Sequence, residues 1–174
     1  QLLRSTYGLY PIGGAFDNDS FKDVSTNSGA GGAGIFPMMT SFYVDFLLAE
    51  SALMTGTNGD PKTLLKEAII GSFDKVLNFI PSQVDASFAA TSADVDNYVT
   101  HVMSAYDAAS SKSDKLDIIM QEYFIALWGN GIEAWNNYRR TSMPSNLSDH
   151  VATSGEFPRS LLYPAAVVNT NSNI

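Results

Sequence analysis

Cysteine is absent from the chain, which excludes disulfides, thiolate zinc sites and cysteine nucleophiles and leaves the redox compartment open. Charge is scarce as well. Of 174 residues, 16% are charged and 45% hydrophobic, so the surface must draw on Ser, Thr, Asn and Gly, and the apolar content suffices for a folded domain. Basic residues number only ten, scattered along a chain of formal net charge -8. No cationic stripe can neutralise phosphates or anionic head groups, so nucleic acid is not an expected partner. Long hydrophobic runs are missing too: Phe46 to Ala49 and Tyr123 to Trp128 fall far short of the roughly 20 residues that span a bilayer. No basic segment followed by a long apolar one opens the sequence at Gln1, so no signal peptide is read there. What the chain does have is amide, hydroxyl and aromatic groups, which suit contact with neutral polar ligands such as sugars. Its length fits one compact domain or a fragment of a larger one.

Residues 1–38 read as irregular, with turn chemistry at Tyr10-Pro11-Ile12-Gly13-Gly14 and an aperiodic run of small residues from Ser25 to Gly34. From Met39 the pattern changes. Apolar residues at 39, 42, 43, 46, 47, 53 and 54 follow one helix face, and Gly56 supplies a stop. The spacing predicts a helix over about 40–55. Asp60-Pro61 offers an N-cap followed by proline at the first helical position, and Leu64, Leu65, Ala68, Ile69, Phe73, Val76, Leu77 and Ile80 carry a second helix to about 80. A third, capped by Ser92, carries Val95, Tyr98, Val99, Val102, Met103 and Tyr106; a fourth, capped by Ser113 or Asp114, carries Leu116, Ile119, Met120, Tyr123, Phe124 and Leu127. Ile132, Trp135 and Tyr138 suggest a fifth, to about Arg140, either separate or continuous with the fourth through a glycine kink. Short connections make the first two an antiparallel hairpin. Prolines 144, 158 and 164 and the asparagine-rich end make residues 141–174 an extended tail. The predicted architecture is therefore mainly α, a single helical domain of TPR-like hairpins over 39–140, flanked by the irregular segment and the tail.

One stretch carries a resemblance. Gln121 to Arg140 reads QEYFIALWGNGIEAWNNYRR, followed by Thr141-Ser142-Met143-Pro144 and later by Phe157-Pro158-Arg159-Ser160-Leu161-Leu162-Tyr163-Pro164. It resembles the C-terminal signature of SusD/RagB-like proteins, in which a helix of the form Q-K/E-Y-x-x-A-L-F/W-x-x-G-x-E-A-W-x-D/E-x-R-R-T precedes a P-R-R-L-x-Y-P element. Gln121, Tyr123, Ala126, Leu127, Gly131, Glu133, Ala134, Trp135, Arg139, Arg140 and Thr141 match the first part, and Pro158, Arg159, Leu161, Tyr163 and Pro164 the second. The segment Met39 to Ala52 is similar to that family's helix with an F-L-x-A-E-A core, so the likeness covers about 39–55 and 118–173. Trp128 stands where Phe is usual, Asn137 where an acid often sits and Ser160 where a second arginine is common, so no particular charge pairing is carried over. The resemblance implies the C-terminal part of a larger surface-exposed outer-membrane lipoprotein, anchored by a lipid on a cysteine upstream of this chain. Such proteins capture glycans or other nutrients without cleaving them and pass them to a TonB-dependent, SusC-like transporter; no cofactor is implied.

Individual constellations are weighed against that background. Glu50 shares a helical stripe with Tyr43, Phe46 and Leu53, where a carboxylate needs a donor; Arg139 or Arg140 is its expected partner. Glu50, Glu133, Arg139, Arg140 and Arg159 are read as a structural network fixing the tail to the last helices. Trp135 and Tyr138 are the candidate ligand-binding residues, since aromatic faces stack on sugar C–H patches. Glycosidase chemistry needs two carboxylates at a set separation, and the spacing of Asp17, Asp19, Asp23, Glu122 and Glu133 singles out no pair. His101 and His150 lie far apart without an HExxH context, and Asp17-Asn18-Asp19-Ser20 lacks the glycine and final glutamate of a calcium loop. Three functions remain open: a nutrient-binding module, a purely structural helical interaction module that touches no sugar, and a hydrolase working through Glu50 or Glu133. The loop 1–38 and the tail are the expected contact surfaces.

Overall fold

Helix starts follow from backbone N–H groups that need acceptors. In the computed structural model, which describes residues 35–79, 89–148 and 169–170, five helices are found: α1 (Ser41–Thr55), α2 (Pro61–Leu77), α3 (Ser92–Ala108), α4 (Lys112–Ala126) and α5 (Gly131–Thr141). The Asp60 carboxylate accepts from the Thr63 N–H at 2.9 Å and its hydroxyl at 2.7 Å, with Pro61 at the first position. The expected caps of the next two helices shift by one to three residues. Thr91, not Ser92, caps α3, and Ser111, not Ser113 or Asp114, caps α4. A capping box needs an acid three residues on: Thr91 finds Asp94 and Ser111 finds Asp114, whereas the same offset from Ser92 or Ser113 lands on Val95 or Leu116. Gly56 closes α1 at φ +72°, a left-handed conformation costly for other residues. Leu127 to Asn130 separate α4 from α5, so the fifth helix is distinct.

The connection at 56–60 folds α2 back against α1, and α1 also packs on α4 while α2 reaches α3. The mainly α architecture is thus two successive hairpins, α1/α2 and α3/α4, around one core. Phe42, Tyr43, Phe46 and Ala49 of α1 meet Leu65, Ala68 and Ile69 of α2, Val99, Val102 and Tyr106 of α3 and Ile119, Met120 and Tyr123 of α4. Phe46 stacks on Tyr123 with centroids 5.0 Å apart, and Tyr43 lies edge-on to Phe42 at 4.9 Å.

Several expected core positions face outward. Met39, Leu47 and Met54 are exposed, as are Val76 and Phe124, while Ala49 and Ala52 are buried. The buried stripe of α1 runs through 42, 46, 49 and 53 and takes in the small Ala49 rather than Leu47 and Met54. Ile80 and Pro81 lie outside the described residues; α2 ends at Leu77 with Asn78 as its cap. Residues 1–34, 82–88, 149–168 and 171–174 also lie outside them, so most of the irregular segment and most of the tail go undescribed. The tail's first residues do run back along α4: the Ser145 N–H donates to Asp117 Oδ1 at 2.7 Å, and Asn146 Nδ2 to Gln121 Oε1 at 3.2 Å. Asn169 and Thr170, near its end, are helical rather than extended.

Candidate functional site

Ile119, Glu122, Tyr123 and Ala126 occupy i, i+3, i+4 and i+7 of α4, so any face that buries the apolar three buries the glutamate as well. Glu122 is 6% exposed. Its Oε2 accepts from the Tyr98 hydroxyl of α3 at 2.8 Å, and the Tyr98 ring is held edge-on by Phe73 of α2, centroids 5.5 Å apart. Burial is the main reason the Glu122 carboxyl sits above its ordinary range; the Tyr98 hydrogen bond and the charge of His101 pull the other way. The Tyr98 hydroxyl is in turn pushed well up, first by burial and then by the adjoining carboxylate.

This pair lies in a cleft of about 510 Å³. Phe46, Ile69 and Ala126 line its buried part, Phe73 and Val76 of α2 one side, and Ile125 and Trp128, 53% and 64% exposed, its rim. Among the described residues that line it, Ser72, Tyr98 and Glu122 are polar and the rest aliphatic or aromatic. The sequence reading missed it because Glu122 was read only as one of several dispersed acids; its place in the apolar repeat of α4 was the available signal. A second, open groove between α2 and α3 has a polar lining of Lys62, Thr63, Lys66, Thr100, Ser104 and Asp107. Lys62 Nζ bridges it to Asp107 Oδ2 at 2.7 Å, both side chains well exposed.

The residues singled out beforehand gather around α5. Arg140 forks onto Glu50: Nη1 donates to Oε1, and Nη2 to Oε2 at 2.7 Å and to Asn137 Oδ1 at 3.0 Å. The Glu50 side chain is only 14% exposed and that of Arg140 48%, so the pair closes the edge where α5 meets α1. Arg139 does not join it. It sits on the exposed side of α5 and makes no hydrogen bond or ion pair among the described residues. Glu133 enters through its backbone, whose N–H donates to Asn130 Oδ1 at 3.2 Å; Arg159 lies outside the described residues. Asn130, flanked by Gly129 and Gly131 at the α4–α5 junction, is 2% exposed. Its Nδ2 donates to the carbonyls of Pro37 at 2.8 Å and Met38 at 3.3 Å, so one amide joins the α4–α5 junction to the chain entering α1.

Periodicity divides α5 in two. Glu133, Ala134, Asn137, Tyr138 and Thr141 are half-buried, whereas Ile132, Trp135, Asn136 and Arg139 are exposed. The two aromatic candidates therefore separate: Trp135 is 41% exposed on the outer face and Tyr138 lies on the inner one. Among the described residues no cluster of three or more histidine, aspartate or glutamate side chains is placed to hold a metal ion. No helix among them is long and apolar enough to cross a membrane.

Comparison with known proteins places this arrangement. A solved structure, the Bacteroidetes AC2a SusD-like protein, superposes with a TM-score of 0.61 at 21% identity, over 78% of this chain and 26% of the other. That likeness establishes the fold, and the chain spans about a quarter of the matched protein's length. No curated protein matches the sequence. The family model described as Susd and RagB outer membrane lipoprotein matches residues 18–173, nearly the whole chain, so the chain belongs to the SusD-like family.

Proposed function

We propose that the chain forms part of a non-catalytic component of an outer-membrane, TonB-dependent uptake system. It captures an oligosaccharide or related nutrient at the cell surface and passes it to a SusC-like transporter, held in place by a lipid anchor. Membership in a family of outer-membrane lipoproteins supports the location. The observation that carries the binding role is the outer face of α5, where the Trp135 indole stands exposed beside Asn136 and Arg139. The accessible part of an aromatic side chain packs on the C–H face of a pyranose, while an amide and a guanidinium hydrogen-bond its hydroxyls. Tyr138, on the half-buried face, positions the helix instead of meeting the sugar. Glu50 and Arg140 hold the end of the same helix against α1, which keeps the platform rigid.

Isothermal titration of the complete gene product against a panel of neutral oligosaccharides tests this reading. At least one member binds, and Trp135→Ala weakens that binding by about tenfold, the scale of one lost aromatic contact. Silence across the panel with retained transporter binding would instead identify a helical interaction module that touches no sugar. Turnover of any oligosaccharide, abolished by Glu50 or Glu133 substitution in a folded protein, would make it a hydrolase.

A further inference from the structure

The cleft between the helices has chemistry unlike that of the α5 face. A saccharide offers many hydroxyls, each needing a partner once desolvated, and the described residues that line this cleft include three polar side chains. What it offers is an apolar volume of about 510 Å³, well inside the range of small-molecule sites, and one carboxylate in its wall. Tyr98 satisfies Oε2 of that carboxylate. Oε1 receives no hydrogen bond, and no lysine or arginine lies within ion-pair distance of Glu122 among the described residues. The positive charge that reaches it belongs to His101, exposed on α3. Oε1 is not one of the buried atoms left without a partner; it opens to the cleft, where a bound donor carrying positive charge would exclude water and strengthen the ion pair.

We propose that this cleft binds a small organic ammonium ion, its aromatic or branched aliphatic body among Phe46, Phe73, Val76 and Trp128 and its amine donating to Glu122. The ammonium supplies donor and charge together. The body excludes water from the pair, and the Phe73 and Trp128 rings are suited to a nearby cation. Tyr98 fixes the carboxylate and is itself fixed by Phe73, so the acceptor is set before the ligand arrives. Burial alone keeps the Glu122 proton more tightly held than usual, and a bound cation relieves that cost.

Isothermal titration with 2-phenylethylammonium, 2-phenylethanol and phenylacetate, three probes of one shape, reads the proposal directly. The ammonium binds saturably and about tenfold or more tighter than the alcohol, the scale of a charge-assisted hydrogen bond; phenylacetate does not bind. Glu122→Gln still accepts from Tyr98 and loses the preference for the ammonium over the alcohol. Val76→Trp, at an exposed position of the cleft wall, blocks all binding by filling the space. Trp135→Ala on α5 leaves the titration unchanged, which separates this site from the proposed sugar surface. Absence of saturable ammonium binding overturns the proposal, as does an undiminished preference in Glu122→Gln or full binding in Val76→Trp. Self-association in sedimentation that Val76→Trp abolishes, with no probe bound, assigns the cleft to a second copy of the chain and overturns it as well.

Discussion

Glu50 and Glu122 show how two acids on apolar helix faces reach different ends. Glu50 lies under the Arg140 fork and its two hydrogen bonds; Glu122 has a phenol and, among the described residues, no ion-pair partner. Removing Arg140 leaves a nearly buried carboxylate without its donors, whereas removing the Glu50 charge leaves a guanidinium that is half in water. Arg140→Ala should therefore cost about 2 kcal/mol and Glu50→Gln about 1 kcal/mol or less, read as shifts of the urea midpoint at constant slope. Equal costs would mean that the geometry carries no desolvation asymmetry. For Glu122 the pH dependence has a definite sign. Its carboxyl is raised from an ordinary 4.5 by burial, so the folded state binds the proton more tightly than the unfolded chain does. The associated stability is complete below that ordinary value and is lost as pH rises from it through the raised one. Glu122→Gln removes this loss, and its melting temperature at neutral pH should equal or exceed the parent's, with a smaller decline from acid to neutral. Asp60 works in the opposite direction: the Thr63 hydrogen bonds lower its carboxyl from 3.8, so the stability its cap adds is complete above that value and is lost as pH falls from it through the lowered one.

Helices were legible because capping and apolar period agree over each segment. The expected bounds 40–55 and 61–80 became Ser41–Thr55 and Pro61–Leu77, and the Asp60-Pro61 start held because proline and an acid favour the same position. Faces were read less well. Helix α1 has apolar residues on more than one side, and counting large ones favoured Leu47 and Met54 over Ala49, which is fully buried. Packing against the neighbouring helices decides which side is buried, and a count of large residues does not contain that. Nor does a count of apolar positions register Glu122, a charged residue that completes the buried face of α4. The Glu50–Arg140 pairing was legible as a need for a donor, but the choice between Arg139 and Arg140 depended on how α5 is rotated. At the start of α4 the Ser111–Asp114 box satisfies two N–H groups reciprocally. Ser111→Ala leaves the Asp114 half intact and should lower stability by about 1 kcal/mol in chemical unfolding, while Ser113→Ala, at the expected but unoccupied cap, should change it by less than about 0.5 kcal/mol.

At the scale of the molecule, four helices are joined by apolar packing and the fifth by polar ties. None of the residues of α5 is fully buried, and Ala134 packs against the core only in part, so hydrophobic area fixes it less than it fixes the other four. Its N-terminal end depends on Asn130, which accepts from Glu133 and donates to the carbonyls of Pro37 and Met38; its C-terminal end depends on Arg140 and Glu50. Both attachments help to position the exposed Trp135 face, as does the hydrogen bond between Asn137 and Tyr123 of α4. Asn130→Ala removes a cap and leaves two carbonyls short of a donor, at least one of them in a buried bond, an expected cost of about 2 to 3 kcal/mol. Because that cost falls on one weakly packed element, it should appear as local opening before global unfolding. Hydrogen exchange in Asn130→Ala is expected to accelerate through 131–141 and at the entrance to α1, with α2 and α3 exchanging as before. Uniform acceleration across all five helices would show instead that α5 belongs to the same cooperative unit as the core. A local effect has a functional corollary: if Trp135 is the sugar platform, Asn130→Ala weakens oligosaccharide binding without altering any residue that touches the sugar. Titration of 2-phenylethylammonium, whose proposed site is built on α1 to α4 and Trp128, then provides the internal control.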